Sequence, residues 1–121
     1  MQRRILVVDD DPQILKLYAR LLTAGGYGVR TEDTSKNILH VLDQAAPVDL
    51  VILDLSMPPP DGFEVLRMLR ANRPGLRILV ISGFLDGALL EAAELLGATA
   101  SLNKTDAPQF LLPTVRQLLE R

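Results

Sequence analysis

The apolar run Leu50-Val51-Ile52-Leu53 ends in a lone carboxylate, Asp54, and the run Ile5-Leu6-Val7-Val8 ends in three, Asp9, Asp10 and Asp11. If the two runs are neighbouring parallel strands, Asp9, Asp10 and Asp54 converge at one rim of a sheet. Clustered carboxylates repel, by roughly 4 kcal/mol for a pair about 4 Å apart at an effective dielectric near 20. Such a cluster needs a cation, and hard oxygen ligands suit Mg²⁺. Two further residues follow strand-like runs: Ser82, able to donate a hydrogen bond, and Lys104, able to meet an incoming anion. Phosphoryl transfer asks for this set: a metal and a cation to neutralise oxygens, and an oxygen nucleophile in line. Asp54 is the natural nucleophile, because a carboxylate accepts a phosphoryl group as an aspartyl phosphate.

The elements that must position these groups are legible as periodicity. Strand-like runs recur at about residues 4–9, 27–32, 49–54, 77–82 and 98–103, the first and third short and β-branched in the manner of strands covered on both faces. Between them the apolar residues take helical spacing. Ile14, Tyr18, Leu21 and Leu22 mark the first helix, with Pro12 at its first position and Gly25-Gly26 ending it. Ile38, Val41, Leu42 and Ala45 mark the second. The third opens at Asp61, which with Glu64 resembles a capping box, and continues through Val65, Leu66 and Leu69. Leu89, Ala92, Ala93 and Leu96 mark the fourth, stopped by Gly97, and Leu111, Val115, Leu118 and Leu119 the fifth.

Five strand–helix alternations with short connections imply an α/β fold, a doubly wound parallel sheet with helices on both faces. Ligands bind such sheets beyond the carboxyl ends of the strands, where the acidic residues, Ser82 and Lys104 all fall. The charged second strand, Gly28 to Glu32, suits an edge. Pro113 conflicts with the last helix: either the helix bends there, or it is regular only from Leu112 onward. Pro58-Pro59-Pro60 reads as a stiff loop.

Composition narrows the functional classes. With 48% hydrophobic and 23% charged residues, the chain is ordinary for a folded protein, so residues 1–121 are expected to form one domain. A net charge of −2 gives no electrostatic reason to expect nucleic-acid or anionic-membrane binding. The absence of cysteine excludes disulfides, thiolate zinc sites and cysteine nucleophiles. The N-terminal apolar stretch is too short for a signal peptide or a membrane span, and the expected location is the cytoplasm.

The ordered segments Ile-Leu-Val-Val-Asp-Asp-Asp-Pro, Asp-Leu-Val-Ile-Leu-Asp-Leu-Ser-Met-Pro, Asp-Gly-Phe-Glu-Val-Leu, Ile-Leu-Val-Ile-Ser-Gly, Leu-Gly-Ala and the lysine of Leu-Asn-Lys closely resemble the receiver domain of two-component response regulators, from Arg4 to about Leu119. The resemblance implies a flavodoxin-like fold with five helices and strand order 2-1-3-4-5. It implies phosphorylation of Asp54 by the phosphohistidine of a histidine kinase, with an unspecified downstream protein target. Asp10 would be a direct Mg²⁺ ligand, Asp9 a second acidic partner through water, and the backbone carbonyl of Ser56 a further ligand. Ser82 would bond a phosphoryl oxygen and Lys104 would pair with the phosphoryl group. The domain would promote its own phosphorylation and dephosphorylation without being an enzyme acting on a metabolite.

Two positions depart from that pattern. Ser101 stands where such domains usually carry Tyr or Phe, the ring that reorients on phosphorylation, and Thr105 stands where a proline usually follows the lysine. Phe84 is the nearest aromatic that could substitute as the moving part. These departures motivate a second reading, a phosphorylation-independent interaction module that keeps the acid pocket. Elsewhere the ordinary readings hold: Asp11 caps the first helix, His40 is a surface or half-buried residue, and Tyr18 and Tyr27 pack the core.

Overall fold

The computed structural model describes residues 2–44, 47–56, 62–83 and 87–120, the last segment with its side chains from Glu91 onward. Strands and helices alternate as β1 (Arg4–Val8), α1 (Pro12–Ala24), β2 (Gly28–Glu32), α2 (Ile38–Gln44), β3 (Leu50–Asp54), α3 (Gly62–Asn72), β4 (Arg77–Ser82), α4 (Gly87–Leu95), β5 (Ala100–Asn103) and α5 (Ala107–Leu119). The strands form one parallel sheet in the order β2-β1-β3-β4-β5. The charged strand β2 is at an edge and the wholly buried β3 is at the centre, as the residue types require. Asp61, the prolines at 58–60, Ala45 and Phe84 lie outside the described residues.

Alternation along each strand divides the core in two. Leu6, Val8, Val51, Leu53, Ile78 and Val80 face Ile38, Val41, Val65, Leu66, Leu69 and Ala93, so α2, α3 and α4 cover one side. Ile5, Val7, Leu50, Ile52, Leu79 and Ile81 face Leu15, Tyr18, Leu22, Leu111, Val115 and Leu119, so α1 and α5 cover the other. Helix α1 is bounded as its sequence demands. Asp11 is the N-cap and accepts a hydrogen bond from Gln13 N at 2.9 Å, worth about 1 kcal/mol. At the other end Gly26 takes φ 98°, a left-handed conformation that favours glycine.

Pro113 does not delay α5, which begins at Ala107 and runs through the proline to Leu119. Of the two alternatives for Pro113, a helix regular only from Leu112 is excluded. Proline inside a helix costs about 3 kcal/mol. Burial of Leu111, Val115 and Leu119 on the sheet side outweighs it, at about 1.5–3 kcal/mol for each side chain. The last turn is also tied to the start of β2, because the buried Tyr27 hydroxyl donates to Glu120 Oε2.

The far end of α4 is clamped. Arg70 Nε and Nη2 donate to the Gly97 carbonyl at 3.0 and 2.6 Å, and Nη1 donates to Arg73 O at 3.2 Å and Pro74 O at 2.8 Å. One guanidinium thus joins the turns after α3 and α4. Gly97 has φ 120°, and a Cβ there would lie 2.8 Å from Arg70 Cγ, so both conformation and space call for glycine.

Helix α3 opens against the exit of β3. A Cβ on Gly62 would lie 2.5 Å from Leu55 Cα and 3.0 Å from the Asp54 carbonyl, and rigid backbone cannot yield. Gly62→Ala is expected to lower unfolding stability by about 1–3 kcal/mol through overpacking. Gly75→Ala, with nothing within 4 Å of its Cβ, should stay within about 0.5 kcal/mol of the parent in the same urea titrations. Equal stability of the two variants would contradict the close approach.

Candidate functional site

Sheet register brings the acidic residues together. Val8 pairs with Leu53, so Asp9, just past β1, and Asp54, the last residue of β3, sit side by side at the sheet's rim. Their burial is nearly complete, at 2% exposure each, whereas Asp10 is exposed. Asp9, Asp10 and Asp54 each offer a carboxylate oxygen, all within 4.8 Å of one another. On the other flank of β3, Ser82 closes β4 at 2% exposure and pairs with Asn103 of β5. The Ser82 carbonyl accepts from Lys104 N at 2.8 Å, which stitches the ends of β4 and β5 together. Lys104 Nζ then reaches back across the rim, 3.3 Å from Asp9 Oδ2 and 3.2 Å from Asp54 Oδ2.

Both buried carboxylates are held in the same way. Asp54 Oδ1 accepts from Ser56 N at 2.8 Å, and Asp9 Oδ1 accepts from Asp11 N at 2.9 Å. Each aspartate fixes one oxygen on the amide two residues later and turns the other toward Lys104. Ser56 Oγ accepts from Gly83 N at 3.3 Å, joining the loop after Asp54 to the exit of β4. Thr105 is braced through Asn103 Oδ1, which accepts from Thr105 N at 3.1 Å and from Thr105 Oγ1 at 2.9 Å. Asn103 thereby orders the loop that lacks proline.

Electrostatics follow from this packing. Burial raises the Asp9 pKa, the Asp54 charge adds to the rise, and the Asp11 amide and Lys104 pull it down without prevailing. For Lys104, burial works to lower the pKa, but the charges of Asp54 and Asp9 outweigh it and the ammonium is held more firmly than usual. One ammonium against three carboxylates leaves an excess of negative charge at the rim. Oxygen donors only, excess negative charge and an exposed Asp10 fit a hard divalent cation such as Mg²⁺.

Among the residues singled out from sequence, Asp9, Asp10, Asp54 and Lys104 are brought into one cluster, with Ser82 and Ser56 on the strand exits beside it. His40 is exposed on α2 and has no place in the cluster. Ser101 lies on β5, and its hydroxyl donates to Glu94 Oε2 of α4 at 3.0 Å, so the position of the usual aromatic holds a polar strand–helix contact.

Tyr18, expected to pack the core, does so with a polar atom left over. It is 1% exposed, and its hydroxyl has no hydrogen-bond partner among the described residues. Burial pushes the phenol up to about 12, and the charges of Lys104, Asp9 and Asp54 all act on it, so it lies within reach of the acidic cluster. A buried hydroxyl without a partner costs about 1–3 kcal/mol. The available signal was the stripe Leu15-Tyr18-Leu22 on α1, where one polar atom interrupts an apolar face.

The profile of the response regulator receiver domain family matches residues 5–116. The chain is 38% identical over 122 residues to the response regulator MprA of Mycolicibacterium vanbaalenii, covering 100% of this chain and 52% of the relative. The chain thus spans about half the length of that curated relative. Among solved structures, the BeF3-activated receiver domain of DrrB, a Thermotoga maritima protein, is 31% identical, with a TM-score of 0.87 and 100% of both chains covered. A CheY-like receiver domain protein from Methanospirillum hungatei is 28% identical, with a TM-score of 0.89 over 99% of this chain and 95% of the other.

Tyr18 and Tyr27 are the chain's two tyrosines, and it has no tryptophan, so ultraviolet absorbance reports them cleanly. Burial raises both to about 12, for Tyr27 with the hydrogen bond to Glu120 adding to the rise. A raised folded-state pKa favours the protonated fold. The associated stability is therefore intact below pH 10, the ordinary phenol value, and is lost as pH rises toward about 12. Phenolate absorbance is expected near pH 12 in the native protein and near pH 10 after denaturation in urea. Native titration near pH 10 would contradict the burial of both rings.

Proposed function

Because this chain belongs to the response regulator receiver domain family, we propose that it is the phosphoacceptor switch of a two-component system, with Asp54 as the phosphorylated residue. The observation that carries the reading is the cluster of Asp9, Asp10 and Asp54 oxygens within 4.8 Å, bridged by Lys104. The phosphodonor is the phosphohistidine of a histidine kinase. An Asp54 carboxylate oxygen attacks phosphorus, the O–P bond forms as the P–N bond breaks, and the leaving imidazole takes up a proton.

The chain's own residues prepare that step. Ser56 N fixes Asp54 Oδ1, which orients the carboxylate plane. Lys104 neutralises part of the charge on Asp54 Oδ2 and moves to a phosphoryl oxygen as the acyl phosphate forms. Ser82, buried at the end of β4, donates to another phosphoryl oxygen. Asp10, Asp54 and the Ser56 carbonyl would hold Mg²⁺ directly, with Asp9 acting through water. When bound, the ion offsets carboxylate repulsion and neutralises phosphoryl oxygens. The acyl phosphate adds charge where Ser82 and Lys104 meet and biases the arrangement of α4 and β5, which alters binding to a downstream protein. A kinase partner, self-promoted dephosphorylation and a cytoplasmic site of action belong to the same reading. No helix among the described residues is long and apolar enough to cross a membrane.

One observation favours a second reading, an interaction module indifferent to phosphorylation: the Ser101–Glu94 contact occupies the place of a movable aromatic. Intact mass separates the two. With Mg²⁺ and acetyl phosphate the chain is expected to gain one phosphate, and Asp54→Asn to gain none. Mg²⁺ binding without any gain in the parent would favour the inert module.

Metal binding has its own readout. Mg²⁺ is expected to raise the thermal unfolding midpoint, by mass action on the folded state. Asp10→Asn should abolish that rise. Asp9→Asn should raise the metal-free midpoint, because it removes a buried carboxylate from the repelling pair, and weaken the response to Mg²⁺. A full Mg²⁺ response in Asp10→Asn would remove the direct-ligand assignment.

A further inference from the structure

Tyr18 has no part in the reaction proposed above, yet its hydroxyl is buried beside the acidic rim without a partner among the described residues. Side chains on a helix lean toward its N-terminus, and the N-terminus of α1 is where Asp9, Asp10 and Asp11 lie. The ring shares its core cluster with Ile81, one residue before Ser82, and with Ala107, three residues after Lys104. Its hydroxyl is thus directed at the underside of the rim, within electrostatic reach of Lys104, Asp9 and Asp54. A phenylalanine would fill the same volume with no polar atom to satisfy. The hydroxyl is therefore an addition to packing, and its chemistry needs a polar group nearby.

Lys104 is that group. An ammonium has three N–H donors, and the contacts with Asp9 Oδ2 and Asp54 Oδ2 use two. As the phosphoryl group arrives, one of these contacts must be exchanged, which leaves the ammonium on a single tether at the moment its position matters.

Resting on the phosphoacceptor reading, we propose that Tyr18 is a positioning residue whose hydroxyl, directly or through one ordered water, takes the third N–H of Lys104. It holds the ammonium in place while Lys104 passes from Asp54 to the phosphoryl oxygen. Tyr18 touches neither the donor nor the reacting atoms and acts through Lys104.

The test compares the parent, Tyr18→Phe, Lys104→Ala and the double variant, each with Mg²⁺ and acetyl phosphate, phosphate uptake being followed by intact mass. Tyr18→Phe is expected to slow uptake at saturating donor about 3- to 10-fold, the rate equivalent of one hydrogen bond. The donor concentration giving half the maximal rate should not change. The unfolding midpoint of the unphosphorylated variant should be equal or higher, which separates positioning from damage to the core. In the Lys104→Ala background Tyr18→Phe should have no further effect. Equal uptake by parent and Tyr18→Phe, or equal slowing in both backgrounds, overturns the proposal while leaving the phosphoacceptor reading intact. So does a Lys104 Nζ resonance unmoved by Tyr18→Phe in nitrogen-detected NMR. A parent that binds Mg²⁺ and takes up no phosphate sinks the phosphoacceptor reading and this proposal together.

Discussion

Repulsion among Asp9, Asp10 and Asp54 is the constraint around which the molecule is organised. Carboxylates confined within 4.8 Å would separate if their backbone allowed it. It does not, because Asp9 and Asp54 stand at the carboxyl ends of adjacent strands whose register is fixed by buried apolar side chains on both faces. A one-residue slip of β1 against β3 would turn every buried side chain to the opposite face, so the core opposes the relief of charge. The site is thus held under strain by packing far larger than the repulsion it contains. Lys104 relieves part of that strain and leaves an excess of negative charge.

The same economy appears in how single backbone groups align the side chains. An aspartate oxygen on the amide two residues later is an ordinary turn contact, yet here it sets the second oxygen of both Asp9 and Asp54 toward one ammonium. Gly62 allows α3 to begin against the Asp54 carbonyl, and Ser82 O anchors the Lys104 amide. Side chains on strand ends inherit the rigidity of the sheet, while the loops beside them supply amides and carbonyls.

Much of this was legible in the chain. Buried parallel strands read as unbroken apolar runs, so their carboxyl ends, and with them Asp9, Asp54 and Ser82, stood out. Strand limits differed by a residue or two, as at Asp9, which leaves the ladder although its amide still bonds Glu32 O at 3.2 Å. Pro113 left two alternatives open in the sequence, because local propensity does not register the burial of Leu111, Val115 and Leu119 that carries the helix through it. Tyr18 was under-read because helical spacing assigns a residue to a face and says nothing about what its terminal atom meets. The Ser101–Glu94 contact was out of reach for a similar reason, since it joins two elements whose relative rotation only tertiary packing decides.

The Arg70 clamp determines what kind of motion α4 is able to make. Four hydrogen bonds from one guanidinium fasten the turn at Gly97 to the end of α3, at the opposite end of α4 from the acidic rim. The helix from Gly87 to Leu95 is a rod about 13 Å long, rising about 1.5 Å per residue. With its lower end pinned, a push delivered at the upper end swings the rod about Arg70 as a fulcrum and does not slide it along the sheet. Exposed Leu95, close to the fulcrum, would travel little, and residues near Gly87 would sweep the widest arc.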